Sequence, residues 1–83
     1  MTDLARTPQQ IGAIVRRTRK TAGLSQKALG EAAGLRQETI SLIETGNPAT
    51  RTDTLLAVLA ALDLEFRIVP RTTGGAVDIE KIF

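Results

Sequence analysis

The stretch from Gly23 to Gly46, GLSQKALGEAAGLRQETISLIETG, restricts the possible folds of this chain more than any other. Ser25 predicts the start of a helix, because its hydroxyl can accept a hydrogen bond from a free N–H group of the first turn. Leu24 and Leu29 flank it with the spacing of a hydrophobic staple. Gly34 can take the positive φ that ends a helix, so the first helix is expected to stop there.

A second short helix is predicted from Gln37 to Glu44. Leu35 and Ile40 repeat the staple spacing around Arg36, which occupies the cap position. Gly30 has no side chain at the point where the two helices are expected to cross. Two short helices joined in this way form a helix-turn-helix, and the second helix of such a unit projects from the domain.

The same residues resemble a known family. The resemblance to the helix-turn-helix of the Cro and phage-repressor family rests on Leu24-Ser25-Gln26, Leu29, Gly34-Leu35, Gln37, Thr39-Ile40-Ser41, Ile43-Glu44 and Gly46. The segment GLRQETISLIE is especially similar to the antitoxins of the HipB type. The supporting helices extend the resemblance to roughly residue 69.

The resemblance implies an all-α fold, a lambda-repressor-like helix-turn-helix bundle of four to five helices that binds duplex DNA as a repressor. For the HipB type it further implies a homodimer on an inverted-repeat operator and a HipA-like kinase toxin as protein partner. In the family, the equivalents of Arg19 and Glu44 often form a partly buried ion pair between the first and third helices. We therefore expect these two residues to be structural rather than to contact DNA.

The composition excludes several kinds of site. The 83 residues include no cysteine and no histidine, which removes disulfides, thiolate metal sites and histidine-based catalysis. No phosphate-binding glycine loop or cluster of metal ligands is visible, so we expect no enzyme, no metal site and no cofactor. No apolar run approaches the ~20 residues that span a bilayer. We expect a soluble, cytoplasmic chain of one domain.

The distribution of charge favours a duplex-DNA partner. Residues 14–27 carry a local charge of +5 with no acidic residue, although the whole chain has a net charge of only +2. A solvated helix face is the alternative explanation, but the neighbouring helix-turn-helix favours neutralisation of phosphates. The chain has two Phe and no Tyr or Trp, so it lacks the stacking platforms typical of RNA and single-strand binders.

The exposed positions of the second helix of the motif are the candidates for contact with base edges. Gln37 matches the base-contacting residue of the family, and its amide can bond adenine N6 and N7. Arg36 replaces the usual Ser or Thr cap and brings a guanidinium within reach of phosphate or guanine. Glu38 could accept from cytosine N4 or merely favour the helix N-terminus, and Leu42 could touch a thymine methyl. Ser41 completes the set and is also well placed for a phosphate.

The candidates for phosphate contact lie on the basic first helix and at helix starts. Basic side chains neutralise phosphates, and the first turn of a helix points free N–H groups at the DNA backbone. The candidates are Arg16, Arg17, Lys20, Ser25, Gln26, Lys27 and Thr39.

The first helix of the chain has a clear start. Thr7 is the expected cap, Pro8 occupies the first helical position, and Gln10 completes a capping box. An apolar stripe at helical spacing then consists of Ile11, Ile14, Val15, Thr18 and Ala22.

A fourth helix is predicted to start near Thr50–Thr52, with Thr50 and Asp53 as a capping box. Its apolar side chains recur at helical spacing and are expected to close the core. A cofactor pocket is the much weaker alternative. The predicted core consists of Leu55, Val58, Leu59 and Leu62 with Ile11, Val15, Leu29, Leu35, Ile40 and Ile43.

The periodicity changes after the fourth helix. Alternation over LEFRIV, residues 64–69, indicates a strand that Pro70 ends. A single strand cannot satisfy its own backbone, and the sequence shows no second one. We therefore expect the strand to pair with the same strand of a second copy about a two-fold axis, with Leu64, Phe66 and Ile68 as dimerisation residues.

The residues after Pro70 have two alternative interpretations. The tail is either frayed or a peptide that docks a protein partner through Ile79, Ile82 and Phe83. The predicted segments are a flexible arm (1–6), the helix-turn-helix domain (7–63), the dimerisation strand (64–70) and the tail (71–83). Besides an antitoxin, a stand-alone phage-type repressor and a protein-binding adaptor remain possible functions.

Overall fold

The computed structural model of the chain describes residues 3–71. Within this range, four helices follow one another: α1 (Pro8–Thr21), α2 (Gln26–Ala33), α3 (Gln37–Glu44) and α4 (Thr52–Ala61). The all-α class is confirmed, and α3 has the bounds expected from the sequence. None of the helices in residues 3–71 is long and apolar enough to cross a membrane. The possible docking residues Ile79, Ile82 and Phe83 lie outside the described range.

Two predicted helix caps are present. The Thr7 hydroxyl accepts a hydrogen bond from the N–H of Gln10 at 3.1 Å, and the Ser25 hydroxyl accepts one from the N–H of Ala28 at 3.0 Å. The reciprocal bond of the first capping box is shifted by one residue, because the Gln10 side chain accepts from the N–H of Arg6 rather than from that of Thr7. Both helices therefore start where the side chains satisfy free N–H groups.

The predicted capping box of α4 is wrong. The cap residue is Arg51, whose side chain makes no cap hydrogen bond. The Thr50 hydroxyl instead donates to the carbonyl oxygen of Asn47 at 3.1 Å, and Asp53 accepts from Arg51 at 3.1 Å and from the N–H of Thr54 at 2.8 Å. Because α4 begins at Thr52, Thr50 lies one residue before the cap position and cannot serve it.

Two glycines make the corner between α2 and α3 possible. Gly34 ends α2 with a φ of +73°, as expected for a left-handed C-cap. The N–H of Leu35 then donates to the carbonyl oxygen of Gly30 at 2.7 Å. A Cβ at Gly30 would lie 2.8 Å from the Leu35 carbonyl oxygen, so a side chain there would push the helices apart.

The predicted core is confirmed. The buried side chains come from all four helices and the turn after α4, and further apolar residues pack around them. The buried cluster is Val15, Leu29, Ile40, Ile43, Val58 and Leu62, with Ile11, Leu35, Leu55 and Leu59 among the half-buried residues against it. Ala22 was wrongly assigned to the apolar stripe: α1 ends at Thr21, and Ala22 is exposed in the following turn.

The chain after α4 has no regular secondary structure within the described residues, and its backbone is unpaired from residue 65 onward. Leu64 is half-buried against the core, whereas Phe66 is 55% exposed and Ile68 is 90% exposed. Residues 65–71 make no backbone hydrogen bond within the described part of the chain. A strand needs a partner to be recognised as one, so pairing with a second copy stays a prediction.

Candidate nucleic-acid interface

The orientation of α3 about its own axis is set by its two buried side chains. Ile40 and Ile43 are 0% and 3% exposed and anchor one face in the core. The opposite face presents Gln37, Glu38 and Leu42 to solvent, and Leu42 is 53% exposed. An exposed leucine on a short helix has no role in this core, so it is available for contact with another molecule.

An open groove follows this exposed face. It is lined by Gln26, Gln37, Glu38, Ser41 and Leu42. The structure therefore brings together four of the five predicted base-contacting residues with one predicted phosphate contact, Gln26 at the start of α2. Arg36, the fifth, is exposed at the cap of α3 and makes no cap hydrogen bond.

One carboxylate connects three helices behind the groove. Glu44 accepts from Arg19 through two bonds, Nε–Oε2 at 2.6 Å and Nη2–Oε1 at 3.1 Å. The side chains of Arg19 and Glu44 are only 10% and 3% exposed. The amide of Gln26 donates to Glu44 Oε1 at 3.2 Å, and Arg19 Nη1 donates to the carbonyl oxygen of Leu24 at 2.8 Å. This Arg19–Glu44–Gln26 network fixes the start of α2 relative to α1 and α3.

The environment keeps both members of the ion pair charged. Burial raises the pKa of Glu44. Hydrogen bonds from Arg19 and Gln26, together with the charges of Arg19 and Arg16, lower it by more, so the pKa of Glu44 lies below its ordinary value. The hydrogen bond to Glu44 raises the pKa of Arg19 against the effect of burial. The expected structural pair is therefore present, and in addition it holds the side chain of a groove residue.

Arg16, Lys20 and Arg17 lie at increasing angles from Arg19 on the exposed side of α1. With about 100° per residue, Arg16 lies about 60° and Lys20 about 100° around the helix from Arg19, whereas Arg17 lies about 160° away. Since Arg19 points at α3, Arg17 points away from it, and its guanidinium pairs with Asp3. The charge of Arg16 acts on Glu44. Arg16 and Arg17 therefore lie about 100° apart, and Lys20 lies between them, about 60° from Arg17.

The remaining phosphate candidates lie at helix starts or on the flank of α3. Ser25 uses its hydroxyl oxygen as the cap of α2, and Lys27 is exposed in the first turn. Thr39 is half-buried and is not one of the residues that line the groove.

Thr45 was not among the residues predicted to contact DNA. Its side chain is exposed, and its hydroxyl donates to the carbonyl oxygen of Leu42 at 3.0 Å. Thr45 extends the exposed face by one turn, because it follows Ser41 and Leu42 by four and three residues. That spacing is visible in the sequence, but Thr45 lies one residue beyond the end of α3, outside the span of the predicted helix.

A family model described as helix-turn-helix (HTH_3) matches residues 15–69. The chain belongs to the helix-turn-helix family. The match includes the second half of α1, all of α2, α3 and α4, and the residues after α4 up to 69. No curated protein sequence matches the chain.

Two solved structures are similar to this chain over most of its length. A structure described as a HipB-O4 20mer complex is 24% identical, with a TM-score of 0.79, and the match covers 86% of this chain and 100% of that one. A structure described as a HipA-HipB-O2-O3 complex is 26% identical, with a TM-score of 0.77 and the same two coverages. The resemblance to HipB-type members of the helix-turn-helix family, inferred from the sequence, is confirmed.

Proposed function

We propose that this chain is a transcriptional repressor that inserts α3 into the major groove of duplex DNA. The proposal depends on one observation. Because Ile40 and Ile43 are buried, the opposite face of α3 presents Gln37, Ser41 and Leu42 to an open groove, which Gln26 also lines. A helix presented in this way fits the width of the major groove.

The residues divide into two roles. Gln37, with Arg36, Glu38, Ser41 and Leu42, is proposed to read base edges. Positively charged and hydroxyl or amide groups around them are proposed to hold phosphates and set the position on the duplex. The phosphate contacts are Arg16, Lys20, Ser25, Gln26, Lys27 and Thr39, with Arg17 expected to contribute least because it pairs with Asp3 and points away from α3.

We further infer that the repressor is a cytoplasmic homodimer and the antitoxin of a HipBA-like module. The similarity to a structure described as a HipA-HipB-O2-O3 complex supports a kinase toxin of the HipA type as partner. Pairing of residues 64–69 of two copies would place two α3 helices on an inverted repeat, with half-sites ~34 Å apart or a multiple of this distance.

The proposal is tested by selecting duplexes from a random library and measuring affinity for the enriched sequence against salt. We expect log affinity to fall steeply with log salt, because phosphate contacts release counterions. Gln37→Ala should lose ~1–3 kcal/mol of discrimination at one base position while retaining weak general binding. An equal loss on every duplex would contradict the base-reading role.

The same titration distinguishes the repressor from a second candidate function, a protein-binding adaptor. The exposed pair Glu38 and Leu42 brings an acidic and an apolar group to the face proposed to meet DNA. This observation supports a protein-binding adaptor as the second candidate function. If no duplex is enriched, and a kinase encoded beside this chain still binds with little dependence on salt, the adaptor replaces the repressor.

A further inference from the structure

The segment after α4, residues 64–69, has features that bear on how two copies of this chain would pair. We propose that they pair as antiparallel strands through residues 64–68, with the two-fold axis at Phe66. Each Phe66 then lies opposite the partner's Phe66. This inference rests on the proposed homodimer and deepens it, because it assigns the register of the pairing.

The segment has free backbone groups where a strand could join. The N–H of Asp63 donates to the carbonyl oxygen of Ala60 at 3.0 Å, and the N–H of Leu64 donates to that of Leu59 at 2.8 Å. From Glu65 to Val69, every residue is exposed and no backbone hydrogen bond is made within residues 3–71. Such a row of unpaired N–H and C=O groups is a template for another strand.

Two-fold symmetry permits only a few pairing registers for the two strands. When a two-fold axis relates two antiparallel strands, one residue must lie opposite its own copy. Pro70 has no N–H to donate and ends the segment, and Asp63 begins it with a φ of 58°. The axis can therefore pass through Glu65, Phe66 or Arg67 while most of the segment is paired.

Charge selects among these three positions. Glu65 and Arg67 lie on the same face, and within one chain Arg67 Nε already contacts Glu65 Oε2. An axis at Phe66 places each Glu65 opposite the partner's Arg67, which gives two cross-strand ion pairs. An axis at Glu65 or at Arg67 places two like charges opposite each other, which is destabilising.

The hydrogen bonds agree with an axis at Phe66. Alternate residues of an antiparallel pair exchange backbone bonds, and the N–H of Leu64 is already used. The bonds therefore fall to Glu65 and the partner's Arg67, which leaves Phe66 at a non-hydrogen-bonded position where side chains approach closely. Leu64 then lies opposite the partner's Ile68, so the apolar face that begins at the core continues across the pair.

Disulfide formation between single cysteines tests this register directly. The chain has no cysteine of its own, so Glu65→Cys, Phe66→Cys and Arg67→Cys each place one thiol per copy. Opposite residues have Cα atoms about 4.5–5.5 Å apart, whereas diagonal positions at about 7–8 Å exceed the usual disulfide span. Phe66→Cys should cross-link at least about tenfold faster than the other two under mild oxidation. Fastest cross-linking of Glu65→Cys or Arg67→Cys overturns the register.

Charge reversal provides a second measurement that retains Phe66. Glu65→Arg or Arg67→Glu alone should weaken the dimer, measured by sedimentation equilibrium, by about three- to tenfold. The double variant restores opposite charges across the pair and should recover most of the loss. Failure of the double variant to recover contradicts the register, whereas a parent chain that stays monomeric at high concentration contradicts the dimer itself.

Discussion

Gly12 determines how closely α1 approaches α3. A Cβ at this position would lie 2.7 Å from the Glu44 carbonyl oxygen, and closer still to that of Ile43. Since no real Cβ tolerates such distances, the two helices cross at a separation that only glycine permits. The same crossing brings Arg19, two turns further along α1, within reach of Glu44.

Gly12→Ala should therefore destabilise the fold by at least ~2 kcal/mol, because the helices must separate to admit the methyl group. Gly23→Ala is the matched control, since Gly23 has a φ of +74° but no atom within 4 Å of a built Cβ. We expect about 1 kcal/mol from its backbone strain alone. Urea unfolding of both variants measures the difference, and a smaller effect at Gly12 would contradict the crossing described above.

Glu44→Gln should cost about 3–5 kcal/mol, because it leaves the guanidinium of Arg19 buried without a counter-charge. The substitution keeps the size of the side chain, so the loss reports on charge rather than on packing. Glu31→Gln, on the exposed side of α2, is the control and should change the free energy of unfolding by less than about 0.5 kcal/mol. Similar losses for the two variants would show that the buried pair does not stabilise the domain.

The lowered pKa of Glu44 in the folded state also predicts the pH dependence of stability. An unfolded glutamate titrates at about 4.3, so the contribution of Glu44 is fully present above this pH. It is lost as the pH falls below about 4.3 and through the lower pKa of the folded state. Thermal unfolding at several pH values from 6 to 3 should show a steeper decline for the parent chain than for Glu44→Gln. Parallel curves would exclude this linkage.

The helices α2 and α3 have eight residues each, which is too few for stability in isolation. Their stability therefore depends on how their N-termini are capped, and the N-termini of the two helices differ. Ser25 caps α2, whereas Arg36 leaves the first N–H groups of α3 without a side-chain partner. The free N–H groups and the guanidinium are both available to an anion at this position.

Arg36→Ser should stabilise the domain by ~0.5–1 kcal/mol by supplying the missing cap, yet weaken binding to DNA. Ser25→Ala removes an existing cap and should lower the free energy of unfolding by about 1 kcal/mol. It therefore measures what one cap contributes to stability in the same domain. Stability is measured by urea unfolding and affinity by titration of the selected duplex. If Arg36→Ser binds as tightly as the parent chain, Arg36 takes no part in recognition.

Elements that follow local rules were predictable from the sequence. The bounds of α3, the Thr7 and Ser25 caps, and the turn at Gly34 depend on residues close together in the chain. The role of Gly12 was not predictable, because apolar periodicity counts side chains and glycine has none. The pairing of Arg17 with Asp3 depends on where the segment before α1 lies, and that of Gln26 with Glu44 depends on how helices pack. A single sequence specifies neither.

Across the whole domain, the exposed basic side chains of α1 lie at different distances around the helix from the face that meets α3: Arg16 lies nearest to that face and Arg17 farthest from it. Arg16→Ala should lower affinity for all duplexes and reduce the salt slope by about one unit, because one phosphate contact is lost. Arg17→Ala is the matched control: it removes the same group one residue away, from the side that points away from α3 and pairs with Asp3. Its salt slope should stay close to that of the parent chain, and equal effects of the two changes would place DNA on a different side of α1.

The network centred on Glu44 has a consequence for how such a domain diversifies. The carboxylate, its arginine and Gln26 form an internal frame that tolerates little change. Gln37, Glu38, Ser41 and Leu42 lie in front of that frame, and their side chains make none of its hydrogen bonds. Duplicated copies within one genome could therefore acquire separate targets by exchanging four side chains, while the scaffold behind them is inherited unaltered.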